Sequence, residues 1–548
     1  MTSPNFDQAL KLHQQGQLED AKAIYKAILS EDPNHFDATH LLGVIAKQQW
    51  SFEEAVQLIT RAIQINPSNP HALSNRGNAL KELKRFQEAH ADYQAAIALV
   101  PSFAQAHYNL GLVQQELKEL DQALQSYNRA IELKPDYAEA WCNKGAALQS
   151  LGKMDEANKC YQQAIGFQPQ YADAHCNLGV ALLECKQFNA SIASFTQAIN
   201  IKPDFALAYF NRGVAYKELN QLNAAIADYT ATARLDPQHA EAFWNASLAL
   251  LTGGDYKNGL MLYEWRWRRA GFAGLQRNFD KPLWLGKEPI AGKTILLHCE
   301  QGLGDAIQFV RYVGLLKSAQ ARVVLEAPES LMRLFQTLKD VDQLVMRGEL
   351  LPEFDVHCPL LSLPLAFKTE LNTIPLSGKY IDANQGKVSS WAARLGAKTK
   401  PRIGLVWSGS VGHQNDANRS IPLKDLMPVL DNRFEYICLQ KEIRPSDLAF
   451  LESAPIQVLA QGIEDFEDTT ALCELMDLVI SVDTSVAHLA GALGRPTWIL
   501  LPFAPDWRWL LNRADSPWYN SVKLYRQDDA REWGNVCNAL RADLKNIA

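Results

Sequence analysis

Seven prolines, Pro33, Pro67, Pro101, Pro135, Pro169, Pro203 and Pro237, stand 34 residues apart in a chain of 548. A fixed period of that length calls for stacked copies of one supersecondary unit, because so short a unit cannot bury its own apolar face and needs its neighbours. In the same register run Gly43, Gly77, Gly111, Gly145, Gly179 and Gly213, then Ala21, Ala55, Ala89, Ala123, Ala157 and Ala225 with Ser191 in the sixth place, then the aromatics Tyr25, Tyr93, Tyr127, Tyr161, Phe195 and Tyr229. Small residues let two helices approach, the aromatic fills the gap to the next unit, and proline ends the second helix, so each unit reads as a helical hairpin. An eighth unit from Ala240 keeps Tyr263 but has Gly259 in the alanine place and no closing proline, as suits an end unit docked onto the next domain.

The pattern resembles the tetratricopeptide repeat over residues 1–269. One more column, Asn75, Asn109, Asn143, Asn177, Asn211 and Asn245, precedes each glycine or its equivalent by two residues. On the first helix of each unit it faces the inner side of a superhelix. A carboxamide both donates and accepts, so this ladder either holds the backbone of an extended acceptor peptide or serves the superhelix itself. It is similar to the asparagine ladder of O-GlcNAc transferase, whose repeats hold protein substrates.

Beyond the repeats the composition changes: 9 of the 30 glycines precede residue 241 and 21 come after it. Residues 270–290 read as a connector. Apolar β-branched runs then alternate with helical stretches, at 294–300, 322–327, 341–346 and 354–360, and again at 402–410, 435–440, 456–460, 478–483 and 496–502. That alternation predicts parallel sheets. The fold class expected is an α-solenoid followed by two Rossmann-like α/β domains, 291–395 and 396–548, with ligand bound at the carboxyl ends of their strands.

Three strand-end clusters are candidates for chemistry. In Gly302-Leu303-Gly304-Asp305 the glycines permit close backbone approach, and Asp305, at a helix start, serves as a cap or as a general base. The loop after the first strand of the second domain carries Ser408, Asn415, Asp416 and Arg419. A guanidinium there can hold two phosphate oxygens, or else forms a surface ion pair. A third strand ends at Asp483, where a helix starts at Thr484 or Ser485; its free N–H groups suit phosphate, and His488 lies on the same face as ligand contact or packed structural residue. The stretch with Trp507, Arg508, Trp509, Trp518 and Tyr519 reads equally as stacking surface or core.

Together these segments resemble GT-B glycosyltransferases of the lipopolysaccharide heptosyltransferase type (glycosyltransferase family 9) over residues 290–548. The resemblance implies an acceptor-side domain at 291–395 and a nucleotide-sugar side at 396–548. It implies Asp305 as the base that deprotonates the acceptor, and Gly302, Gly304, Ser408, Arg419, Asp483, Thr484, Ser485 and His488 around the donor. The chain departs from the family in having Ser485 for glycine and Arg419 for lysine. The nearest organisation is that of bacterial fusions that glycosylate flagellin or other surface proteins, so the expected activity is transfer of a sugar from a nucleotide-sugar to a protein Ser or Thr hydroxyl held by the repeats. No metal and no further cofactor is expected. Two other readings are a transferase acting on a lipid-linked or free glycan, with the repeats as partner scaffold, and a non-catalytic adaptor.

Composition excludes other classes. A net charge of −7 with no basic block argues against nucleic acid. The acidic residues near the start and the want of a long apolar run argue against an export signal or membrane span. Nine scattered cysteines with no C-x-x-C pair suit a reducing compartment without structural zinc, and the expected location is cytoplasmic.

Overall fold

Each 34-residue period folds as two helices joined by a tight turn, from the pair α1 (Phe6–Gln14) and α2 (Leu18–Glu31) to α13 (Ala206–Glu218) with α14 (Leu222–Leu235) and α15 (Ala240–Thr252) with α16 (Tyr256–Tyr263). The computed structural model describes residues 5–272, 274, 276–375, 378–413 and 415–547. The prolines act through the residue before them. Asp32, Asn66, Val100, Lys134, Gln168, Lys202 and Asp236 all cap the second helix with φ between −126° and −139° and ψ between 84° and 92°, outside the helical basin that a following proline ring disfavours.

The glycine column has a steric cause. A Cβ on Gly77, Gly111, Gly145 or Gly179 would lie 2.6–2.8 Å from a ring carbon of Tyr93, Tyr127, Tyr161 or Phe195, so only glycine fits beneath the ring. The aromatic therefore seats on the glycine of its own hairpin, beyond the expected filling of the gap to the next. It does both, since Tyr93 also packs with Leu110 and Val113 of the following unit.

Contacts divide the chain into two compact units, one ending at Ala215 and one beginning at Tyr216. The division falls inside the repeats rather than at the connector, and the physical reason is visible in the second unit. The Trp518 indole donates to Tyr256 of α16 at 3.1 Å, the Asn220 amide donates to the Phe503 carbonyl at 2.7 Å, and Arg531 donates to the Glu218 carbonyl. The last hairpins are thus part of the α/β body.

That body holds two sheets, all of whose strands are parallel. The first comprises β1 (Thr294–His298), β2 (Arg322–Ala327), β3 (Gln343–Met346) and β4 (Val356–Pro359) in the order β3-β2-β1-β4. The second comprises β5 (Arg402–Val406), β6 (Glu435–Cys438), β7 (Ile456–Val458), β8 (Leu478–Val482), β9 (Thr497–Leu501) and β10 (Val522–Arg526) in the order β10-β9-β8-β5-β6-β7. Counted within its own sheet this second order is 6-5-4-1-2-3, the doubly wound arrangement, and the first sheet is its four-stranded half. Strand β10 has no counterpart among the apolar runs of the sequence, hidden behind the aromatic stretch. The helix Gln385–Leu395, which a boundary at residue 395 groups with the first sheet, donates its Trp391 indole to Asp468 at 3.0 Å, on the helix that follows β7. No helix among the described residues is long and apolar enough to cross a membrane.

Candidate functional site

A doubly wound sheet opens a crevice where its strand order reverses, at the carboxyl ends of the strands on either side. Here those points lie between β1 and β4 and between β5 and β8. The helices that leave them, α17 (Leu303–Phe309) after β1 and Ser485–Ala492 after β8, pack against each other. Their contact is close. A Cβ on Gly304 would sit 2.9 Å from His488 Cδ2 and 3.3 Å from Ser485 Cα, so Gly304, expected to admit a ligand, admits the neighbouring helix. Gly302, just before that helix, is exposed at the mouth.

Asp305 caps the helix, the first of the two roles open to it. One carboxylate oxygen accepts the Gly302 N–H at 2.9 Å and the other pairs with Arg508. Burial raises its pKa above the ordinary aspartate value, against the opposing pull of Arg508. Arg508 itself is 6% exposed. It also donates to Asp506 at 2.9 Å and to the Gln308 side chain at 2.6 Å, and its guanidinium lies over the Trp507 ring at 4.6 Å. Sequence reasoning misses Asp506 and Gln308, and it finds Arg508 only as part of an aromatic stretch. A signal exists: the Asp506–Arg508 turn leaves the end of β9 as the Asp483 turn leaves the end of β8.

From the second sheet come the other predicted groups. Arg419, on the one-turn helix Asp416–Arg419, donates to the Asp483 carbonyl at 2.8 Å, and its Nε stands 3.6 Å from Asp416. A Cβ at Gly409 would lie 2.4 Å from that guanidinium, so a side chain there would displace Arg419 from its present place. Asp416 is buried, accepts from Ser420 at 3.0 Å and pairs with Arg444, so the loop after β5 is tied down from within. Ser408 is buried; its hydroxyl accepts from Gln440 at 3.0 Å and its N–H donates to the same side chain at 3.1 Å. It shapes the loop from behind.

Asp483, Thr484 and Ser485 are half-buried at the start of the Ser485 helix, and Thr484 occupies the cap position without a side-chain cap bond. The first N–H groups of that helix keep their donor capacity beside Arg419. Burial, with Asp506 second, pushes Asp483 up to about 7. His488 is buried, stacked on Trp509 with centroids 5.3 Å apart, bonded to the Tyr519 hydroxyl at 3.0 Å and 3.8 Å from Asp483. Burial holds it well below the ordinary imidazole value, so it is neutral at pH 7. Trp507, Trp509, Trp518 and Tyr519 are all buried, which decides the aromatic stretch as core.

One further carboxyl lies at the end of β1. Glu300 accepts from Arg266 and from the Leu361 N–H, each at 3.2 Å, and burial raises it to about 7. Arg266, wholly buried, also pairs with Glu264 at 2.6 Å and Ser362 at 2.7 Å, joining the turn after α16 to the first sheet.

The asparagine column is used inside the array. Asn143 donates to the Tyr108 hydroxyl at 3.0 Å and Asn177 to the Cys142 sulfur at 3.4 Å, each one hairpin back; Asn75 meets His40 at 3.1 Å in the same way. Asn109 donates to Asn78 at 2.9 Å, and Asn245 to the Glu241 carbonyl in its own helix. Asn211 is half-buried.

Comparison with known proteins decides the first half. Descriptions of the TPR repeat match residues 77–118, 116–152, 147–184 and 181–220, and those of the tetratricopeptide repeat match 12–79 and 210–270. Residues 12–270 are tetratricopeptide repeats. The protein FlbA of Caulobacter vibrioides is 26% identical over 321 residues, 53% of each chain, so this chain spans about half the length of the curated relative it matches. Among solved structures, MamA is 28% identical with a TM-score of 0.29, covering 30% of this chain and 96% of its own. YrrB, a TPR protein with an unusual peptide-binding site, is 22% identical with a TM-score of 0.30, covering 34% and 95%.

Proposed function

We propose that the chain is a GT-B glycosyltransferase that moves a sugar from a nucleotide-sugar to a hydroxyl of a protein held by its tetratricopeptide repeats. The observation that carries this reading is the packing of the two helices that leave the switch points, with Gly304 of one against Ser485 and His488 of the other. On this reading Asp305 of the first sheet works with an anion-binding set of the second: the start of the Ser485 helix, the Thr484 and Ser485 hydroxyls, and Arg419.

The chemistry rests on that division. The diphosphate lies at the start of the Ser485 helix, where N–H groups and Arg419 stabilise the charge that develops as the bond from the anomeric carbon to the diphosphate breaks. Asp305 takes the proton of the attacking hydroxyl, its basicity raised toward neutral pH by burial. Arg508 holds the carboxylate in place from the other side. Donors of this kind carry the leaving charge without a metal ion. Tetratricopeptide repeats form protein-binding scaffolds, and an acceptor peptide in the groove would meet the Asn143 carbonyl, since its amide donates to the Tyr108 hydroxyl of the preceding hairpin and to the Glu139 carbonyl of its own helix.

The test is transfer from a panel of nucleotide-sugars to a co-expressed acceptor protein, with Asp305→Asn and Arg419→Ala beside the native chain. Asp305→Asn is expected to lower kcat by at least a hundredfold with little change in donor affinity, and Arg419→Ala to weaken donor binding. Full transfer by Asp305→Asn would remove the base from the scheme, and absence of transfer by the native chain with every donor would leave a scaffold protein.

A further inference from the structure

Four residues before Asn143, Asn177 and Asn245, hence on the same helix face as the asparagine column, stand Glu139, Asp173 and Glu241. At the last of the three the chain itself shows what this face takes. Arg269 donates to Glu241 at 2.8 Å, and its guanidinium lies over the Trp244 ring at 4.9 Å and the Phe272 ring at 5.4 Å. Trp244 precedes Asn245 by one residue on the helix that bears Glu241. A basic side chain is thus held by the acidic column and by the aromatic beside the asparagine.

The middle of the array offers the same chemistry. Glu139 on α9 (Ala138–Ser150) and Asp173 on α11 (Ala172–Glu184) are exposed, and neither pairs with a lysine or arginine among the described residues. Tyr108, which precedes Asn109 as Trp244 precedes Asn245, is half-buried, packs on Tyr137 with centroids 4.9 Å apart and accepts the Asn143 amide. Burial first and the Glu139 charge second push its hydroxyl up to about 12, so that carboxylate stands beside the ring. Burial likewise raises Tyr171, with Asp173 among the charges that add to it. The lysines nearest to Glu139 in sequence lie over other rings, Lys134 over Tyr137 at 4.7 Å and Lys144 over Trp141 at 5.1 Å.

We infer that the acceptor segment held by the repeats is basic, an extended stretch whose arginine or lysine side chains sit on Glu139 and Asp173 as Arg269 sits on Glu241. The inference rests on the transferase reading and names the class of its acceptor. Packed helices lie about 8–10 Å apart, a span of about three extended residues, so the matching segment carries a basic residue at about every third position. The asparagine carbonyl holds backbone N–H groups whatever the sequence; the carboxylates add choice, by attracting cationic segments and repelling acidic ones.

Fluorescence anisotropy of the full chain tests this with a labelled peptide of serine and alanine in which every third residue is arginine, beside the same peptide with uncharged citrulline in the arginine places. The arginine peptide should bind about tenfold tighter than the citrulline one. Glu139→Gln with Asp173→Asn, both at exposed positions, should erase most of that difference. Glu132→Gln, which removes an exposed acid paired with Arg129 on a second helix, should leave it intact. Arginine and citrulline peptides that bind alike, binding of neither, or an equal loss with Glu132→Gln would overturn the inference. The transfer assay separates this from the parent reading: arginine selectivity in a chain that transfers no sugar would keep the basic partner and remove the transferase, and transfer without that selectivity would do the reverse.

Discussion

Changing Glu300 to glutamine isolates a buried ionisation at the end of β1. The fold holds this carboxyl up to about 7 through burial, with Arg266 opposing, whereas an unfolded glutamate titrates near 4.3. A group raised in the folded state makes the folded chain bind more protons. The stability this lends is complete below about pH 4 and is lost as pH climbs to about 7. At 1.36 kcal/mol per unit the loss is roughly 3.7 kcal/mol. Glu300→Gln stays neutral throughout, so its stability relative to the native chain should rise by about that amount between pH 4.5 and pH 8. The raised Asp483 is common to both proteins and cancels in the difference. Urea unfolding of the full chain, followed by tryptophan fluorescence at a series of pH values, reads this out, because most of the 13 tryptophans lie beyond Tyr216. Parallel curves for the two proteins would refute the reasoning, since Glu300 would then ionise in place without cost.

Arg508→Met should leave the half-buried Asp305 without its counter-charge, at a cost of about 1–3 kcal/mol in thermal melts, and adding Asp305→Asn should recover part of it. Gly145→Ala drives a Cβ to within 2.7 Å of the Tyr161 ring, so it should destabilise the array by about 1–2 kcal/mol after its gain in helix propensity. Gly166→Ala, in a helix with nothing within 4 Å of the new carbon, should instead stabilise by about 0.5–1 kcal/mol; both are measured by circular dichroism melts. Asn143→Ala, which removes a bond between hairpins, should cost about 1 kcal/mol by the same measurement. Turnover should survive EDTA, and its loss would place a metal ion in the scheme.

The sequence is most legible where one local rule decides one local structure. The prolines act on the residue before them and the glycines on a ring within the same hairpin, so their 34-residue register translates directly into helices. Strands β1 to β9 show themselves as apolar runs with turn residues at their ends, and the groups after β1, β5 and β8 are found by asking what stands at a strand end. Arg508 escapes because its meaning lies in Asp305, two hundred residues earlier, and no periodicity links them. Arg266 and Glu300 escape likewise: a buried ion pair between the last hairpin and a sheet leaves no pattern in either segment. Trp518 reads as ambiguous because an indole on Tyr256 and an indole on a sugar have the same sequence. The Asn ladder is visible, but which of its two hydrogen-bonding faces the array consumes is settled only by what stands one hairpin back.

The position of the division at Ala215 and Tyr216 bears on how such a chain can vary. Hairpins in a solenoid interact with their immediate neighbours alone, so copies can be inserted or lost upstream of α13 by duplication or deletion of 34 codon steps without altering any group that lines the crevice. The α/β body keeps the repeat helices from Tyr216 onward as part of itself. On the proposed function, array length then becomes adjustable without touching Asp305, Arg419 or the Ser485 helix, and a library of array lengths on one unchanged body separates what the repeats contribute from what the body does.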